Sequence, residues 1–113
     1  TGHNEAGIKE ILGQIKEIKF GKLHWVLGMV KDKDVSTILH LLPKDARYYF
    51  CQATIPRAMP ASELRVKAEQ AGLEGVTIND VNAAINEARR NSAPSDLILI
   101  GGSTFVVAEI ENL

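Results

Sequence analysis

Leu97-Ile98-Leu99-Ile100-Gly101-Gly102-Ser103-Thr104-Phe105 is the stretch whose reading decides the fold. Four consecutive apolar residues run into two glycines and a hydroxyl side chain. A strand buried on both faces reads in this way, and in a parallel sheet its end delivers a polar residue to a ligand crevice. Thr1-Gly2-His3-Asn4 looks like the tail of a second such turn, followed at once by an amphipathic segment. If both turns sit on one edge of a sheet, His3 and Ser103 meet although they lie at opposite ends of the chain.

Outward from that stretch, hydrophobic periodicity places alternating elements. Ile8, Ile11, Leu12, Ile15 and Ile18 follow the helical repeat, so a helix is predicted from residue 5 to about 19, with Asn4 as N-cap. Leu23 to Val30 reads as a buried strand. Lys31-Asp32-Lys33-Asp34 is a charged loop, with Asp32 or Asp34 capping a helix that carries Val35, Ile38, Leu39 and Leu42 and stops at Pro43. Arg47 to Ala53 reads as an aromatic-rich strand. Pro60 opens a third helix that ends at Gly72. Val76 to Ile78 is a short strand. Asn79 is the expected cap of a fourth helix containing Val81, Ala84, Ile85 and Ala88, with Arg89 and Arg90 at its C-terminal end. Leu97 to Ile100 is the last of the alternating strands. From Thr104 onward the pattern fits either a helix or an edge strand. Regular alternation with continuous apolar strands predicts an α/β fold: one mainly parallel sheet, helices on both faces, Rossmann-like, over residues 1–113 as a single domain.

Composition narrows the function classes. The 113 residues suffice for one core, and 45% hydrophobic with 24% charged residues is ordinary for a globular domain. The formal net charge of -1 argues against nucleic acid as partner. No apolar run has the roughly 18 residues of a membrane span. The single cysteine, Cys51, makes no intrachain disulfide, and a cytoplasmic location is expected. The chain opens on a turn that lacks its strand and does not begin with methionine, which leads us to expect a fragment of a longer protein.

Ligands of open parallel sheets bind beyond the carboxyl ends of the strands. The loops at that edge hold His3, Asn4, Lys31, Asp32, Lys33, Asp34, Arg57 and Ser103, a donor-rich set suited to an anionic or phosphorylated ligand. Each has a second reading. His3 is also a plain terminal residue, and Ser103 also a helix cap. Lys31 to Asp34 is also a solvated turn, and Arg57 a surface residue beside Pro56. His24 and His40 lie on apolar faces and are expected to be packed, as is Cys51, which has no basic neighbour to activate it. Neither a GxxxxGK[ST] loop nor GxGxxG is present, and three scattered histidines make no metal site.

Four motifs in order resemble the dihydrofolate synthase/folylpolyglutamate synthase family of the Mur ligase superfamily. Thr1-Gly2-His3-Asn4 is similar to the end of the family's Asp-Gly-Ala-His-Asn motif. Leu23 to Asp34 resembles its next strand and Gly-x-x-x-Asp-Lys-Asp turn. Pro56-Arg57-Ala58-Met59-Pro60 resembles its Pro-Arg-Ala-x-Pro loop, and Gly102-Ser103 its Thr-Gly-Ser turn. Thr1, Gly2, Glu5 and Gly101 depart from the family's Gly, Ala, Pro and Thr.

The resemblance implies the C-terminal domain of a two-domain ligase. It implies use of ATP and Mg2+, both bound mainly by an N-terminal ATPase domain, to join L-glutamate to dihydropteroate or a folate through an acyl phosphate. It places His3 and Ser103 at the glutamate. Asn4, Lys31, Asp32 and Arg57 fall toward ATP or the domain interface. No metal ligand falls within this chain, and the fragment alone is expected to be inactive. Two alternatives remain at this point. One is the C-terminal domain of another Mur-type ligase. The other is a free-standing flavodoxin-like binding module.

Overall fold

Strand β1, Leu23–Gly28, is the centre of the molecule, and every residue from Leu23 to Leu27 is buried. The computed structural model describes residues 5–31 and 34–102 and the backbone of 106–110. Around β1 the chain arranges α1 (Glu5–Ile15), α2 (Val35–Leu41), β2 (Arg47–Phe50), α3 (Ala61–Gln70), β3 (Gly75–Thr77), α4 (Val81–Asn91), β4 (Leu97–Gly102) and β5 (Val106–Ile110). The sheet order is β3-β2-β1-β4-β5. The first four strands are parallel, and β5 runs antiparallel to β4, with Gly101 opposite Val106 and Leu97 opposite Ile110. The expected α/β architecture with a mainly parallel sheet is therefore the observed one.

Alternation along the strands builds two apolar layers. Trp25, Leu27, Tyr48, Phe50, Leu97 and Leu99 face α1, α2 and α3, meeting Ile8, Ile38, Leu39, Leu64 and Ala68. Tyr48 stacks between Trp25 and Phe50, at centroid distances of 6.2 and 5.9 Å. Val26, Tyr49, Cys51 and Ile98 face α4, which presents Ala84 and Ala88. Handedness explains this division. The chain steps from β1 to β2 to β3 through α2 and α3, then returns across the sheet to β4 through α4. Right-handed crossovers in opposite directions require opposite faces.

Local chemistry ends the helices. Asp34 caps α2, accepting from the Thr37 backbone N–H at 3.3 Å and the Thr37 hydroxyl at 2.7 Å. These two bonds hold the Asp34 carboxyl below its usual pKa. Helix α3 closes with a Schellman motif: Gly72 (φ +85°) donates to Glu69 O at 3.0 Å, and Leu73 to Ala68 O at 3.0 Å.

Three expectations change, and one open reading is decided. Helix α1 stops at Ile15 rather than near residue 19, and Ile18 lies beyond it, 37% exposed. The cap of α4 is Asp80, whose side chain accepts from Ala83 N–H at 2.9 Å, whereas the carbonyl of Asn79 accepts from Gln52 N–H. His40 is exposed, its Nδ1 2.7 Å from Ser36 O, because it occupies the solvent side of α2. Of the two readings left open for the tail, Val106–Ile110 takes the strand. Without it β4 would present an unpaired edge, and the β-branched pair Val106-Val107 suits pairing. The predicted cap Asn4 lies outside the described residues.

Candidate functional site

The direction reversal that sends β1 to β2 on one side, and brings β4 in on the other, makes a switch point between β1 and β4. In open α/β sheets the crevice outside the carboxyl ends of the strands opens at such a point. Here the two strands end on glycine, Gly28 opposite Gly102 in register. A Cβ on Gly102 would stand 2.0 Å from the Gly28 carbonyl oxygen, so this close approach excludes any side chain. Gly101 takes φ +131°, a conformation that side-chain-bearing residues rarely adopt, and its carbonyl accepts from the Trp25 indole N–H at 3.3 Å.

Two loops zip together beside these glycines. Met59 N–H donates to Met29 O at 2.9 Å, Lys31 N–H donates to Arg57 O at 2.8 Å, and Val30 bridges Ala58 in antiparallel fashion. The Lys31 and Arg57 backbones are therefore joined directly, on the edge where Gly102 also ends. Sequence reasoning placed both residues there by topology alone. His3, Asn4, Asp32, Lys33 and Ser103 lie outside the described residues. Among the described residues no group of three His, Cys, Asp or Glu side chains could hold a metal ion.

Two recesses open at this edge. One is an apolar slot of about 170 Å³, lined by Val26, Gly28, Cys51, Val81 and Ile100, with Ile55 at its rim. The other is a groove of mixed lining, with Gln52, Thr54, Asn79 and Asp80 beside Pro56, which shares Ala53 and Ile55 with the slot. Gln52 fixes this region: its Oε1 accepts from Ala61 N–H at 3.2 Å, and its N–H donates to Asn79 O at 2.9 Å. Gln52 fell within the strand expected from Arg47 to Ala53, whereas β2 ends at Phe50. Its position directly after a buried strand and nine residues before a helix N-terminus was the available signal. Cys51 is inert as expected. Burial, and then the nearby Asp80 charge, push its thiol up to about 11.

The opposite edge is built differently. His24, 1% exposed, places Nδ1 2.9 Å from the Tyr49 hydroxyl and Nε2 2.9 Å from Asp96 Oδ2. Asp96 also accepts from Lys22 N–H at 2.9 Å and Ala93 N–H at 3.0 Å. Burial alone would raise the Asp96 pKa. The bonds from Ala93, His24 and Lys22 outweigh it and hold the carboxyl below its ordinary value. His24 is packed, as its apolar setting suggested. Asp96 was missed, because a single acidic residue before a strand reads as turn chemistry. A cleft of about 510 Å³, lined by Leu12, Phe20, Leu41 and Pro43 among others, also lies at this edge, away from the strand ends where ligands bind.

Residues 1–104 match the family model described as Mur ligase, glutamate ligase domain. The chain belongs to this family. It is 32% identical over 108 residues to a probable bifunctional folylpolyglutamate synthase/dihydropteroate synthase of Haloferax volcanii, covering 95% of this chain and 13% of that protein. It is 26% identical to a dihydrofolate synthase/folylpolyglutamate synthase of Buchnera aphidicola, covering 100% of this chain and 27% of that one. Among solved structures, E. coli FolC in complex with ADP superposes with a TM-score of 0.79 at 26% identity, over 91% of this chain and 25% of that one. The chain thus spans between about an eighth and about a quarter of the length of these relatives.

Proposed function

We propose that the chain is the C-terminal part of a two-domain, ATP-dependent ligase that joins L-glutamate to dihydropteroate or a folate. The observation that carries this reading is the glycine-ended β1–β4 switch point, with the Lys31 and Arg57 loops zipped beside it, in a chain of the glutamate ligase domain family. In such a reaction the acceptor carboxylate is phosphorylated, the glutamate amine attacks the acyl carbon, and phosphate departs.

The residues of this chain supply binding and orientation. Glutamate carries two carboxylates and needs several donors. His3 and Ser103 are assigned to it, Ser103 following Gly102 directly in sequence. A neutral or charged imidazole at position 3 donates to a carboxylate in either state. Asn4, Lys31, Asp32 and Arg57 are assigned to the nucleotide or the face toward the N-terminal ATPase domain. Lysine and arginine there offset the negative charge of phosphate groups. The described residues do not by themselves fit a Mg2+ site, since no cluster of three ligands exists among them. Closure of this edge against the partner domain would keep water from the acyl phosphate.

Cytoplasmic location belongs to the same reading. Among the described residues no helix is long and apolar enough to cross a membrane. The test is ATP- and glutamate-dependent phosphate release by the full-length parent, with dihydropteroate and a reduced folate offered separately. Release with either acceptor is expected, and none from the 113-residue chain alone. Absence of glutamate dependence in the parent, or turnover dependent on another amino acid, would move the chain to a different Mur-type ligase. Turnover by the isolated chain would refute the two-domain reading.

A further inference from the structure

We propose that Trp25 is a positioning residue for the incoming glutamate: its indole N–H holds the end of β4 in the shape from which the chain passes to Ser103. The inference rests on the ligase reading above and adds to it a residue buried in the core.

The end of β4 departs from a regular strand. Gly101 takes φ +131°, and its carbonyl oxygen accepts from the Trp25 indole N–H at 3.3 Å. The hydrogen bonds of a regular ladder run from strand to strand. Trp25 instead stands in the apolar layer with Leu27 and Leu99, under α1, α2 and α3. The indole therefore grips the β4 backbone from outside the ladder.

Register makes this a long reach. Trp25 lies opposite Leu99, two residues before Gly101, which is roughly 6.6 Å along a strand. The layer the side chain crosses is apolar. Tryptophan combines an apolar body with a single N–H donor. Phenylalanine would fill the same layer without the donor, and lysine or arginine would bring a charge into it. The indole is also kept from turning. Tyr48 stacks on it at a centroid distance of 6.2 Å, with the ring planes 20° apart, and the Tyr48 hydroxyl donates to Pro43 O at 2.6 Å. Trp25, fully buried, thus passes the rigidity of the core to Gly101.

Gly102 carries the position onward. Its α-carbon lies so close to the Gly28 carbonyl that no side chain fits between them. Two consecutive glycines are therefore held by groups of β1, one by a side chain and one by backbone contact, and Ser103 follows them in sequence. Without the indole N–H, the Gly101 carbonyl loses a partner and its peptide plane is free to rotate. The ladder and the apolar layer remain. Glutamate binding should suffer while ATP binding and stability do not.

Trp25 is the single tryptophan, so the 113-residue chain shows one indole N–H resonance. That proton should exchange slowly with deuterium, and Gly101→Ala, which strains the φ +131° backbone, should speed its exchange. Exchange in wild type at the rate of free tryptophan would overturn the inference. The functional test uses the full-length parent, with Trp25→Phe and with Trp25 replaced by its benzothienyl analogue, in which sulfur takes the place of the N–H and the packing is kept. The KM for glutamate should rise roughly 3- to 10-fold in both, as expected for one neutral hydrogen bond. The KM for ATP should not change, nor should the melting temperature of the analogue. Trp25→Phe combined with Gly101→Ala should raise the glutamate KM no further than the larger single change, because both break one contact. An unchanged glutamate KM in the analogue, a parallel rise in both KM values with a lowered melting temperature, or additive effects in the double variant would each overturn it. Wild-type parent is scored separately. If it shows glutamate-dependent phosphate release while the variants keep its glutamate KM, only the role of Trp25 falls; if it shows none, the ligase reading falls and this inference with it.

Discussion

The two edges of the sheet are built from opposite materials. Where the strands begin, His24, Tyr49 and Asp96 form a buried hydrogen-bonded group that fastens β1, β2 and the turn before β4. Where they end, β1 and β4 finish on Gly28 and Gly102, and loops joined by backbone bonds surround an open slot. The first edge spends its polar side chains on internal satisfaction. The second is held by backbone bonds between loops, with Gln52 and the Asp80 cap beside them, and leaves Lys31 facing outward. A parallel sheet can separate stability from function in this way, because all its carboxyl ends gather on one side.

Variants at the starting edge should therefore cost stability and spare ligand binding. Asp96→Ala leaves the Lys22 and Ala93 amides and the His24 ring without their partner in a buried setting. Each orphaned group costs about 1–3 kcal/mol, so a total loss near 3 kcal/mol is expected in urea unfolding. Unfolding midpoints within error of wild type would break the contrast between the edges.

The pH dependence sharpens the same point. The folded Asp96 carboxyl titrates below its unfolded value. Its contribution is fully present above the unfolded carboxylate range and is lost as pH falls through the lower, folded pKa. Asp96→Asn should flatten the acid limb of a stability-versus-pH curve. An unchanged acid limb would show that other carboxylates govern it.

Gly72→Ala comes next. It forces a side chain into φ +85° in the Schellman turn, at a cost of about 1–2 kcal/mol. The nearest obstacle is the flexible Lys44 side chain at 3.0 Å, so backbone strain dominates. Asp80→Ala, at the functional edge, removes the α4 cap at about 1 kcal/mol. Thermal denaturation ranks the two, and the reverse order would place more of the stability at the open edge than the account allows.

The legible parts of the molecule were those with strong periodicity. The apolar runs at Leu23 and Leu97 fixed the buried strands, and Pro43, Pro60 and Gly72 marked helix ends through backbone constraints that no tertiary contact overrides. The tail from Thr104 was not legible, because Val106-Val107 favours a strand while a Gly-Gly-Ser turn favours a helix. Pairing with β4 decides between them, and that is a tertiary fact. Asp80 displaced Asn79 as cap because both residues cap equally well in sequence. On the site, topology sufficed to bring Lys31, Arg57 and the end of β4 to one edge. Gln52 and Asp96 escaped notice because their roles depend on partners far along the chain. The slot under Gly28 escaped because a strand glycine does not announce whether packing requires it.

The most direct test of the account is Ser103→Ala in the full-length parent, with glutamate and ATP varied in turn. A hydrogen bond to a charged carboxylate is worth about 1.5–3 kcal/mol, so the KM for glutamate should rise roughly 10- to 100-fold, with the KM for ATP and the melting temperature unchanged. An unchanged glutamate KM together with a lowered melting temperature would make Ser103 structural and contradict the assignment of the strand-end edge to the incoming amino acid.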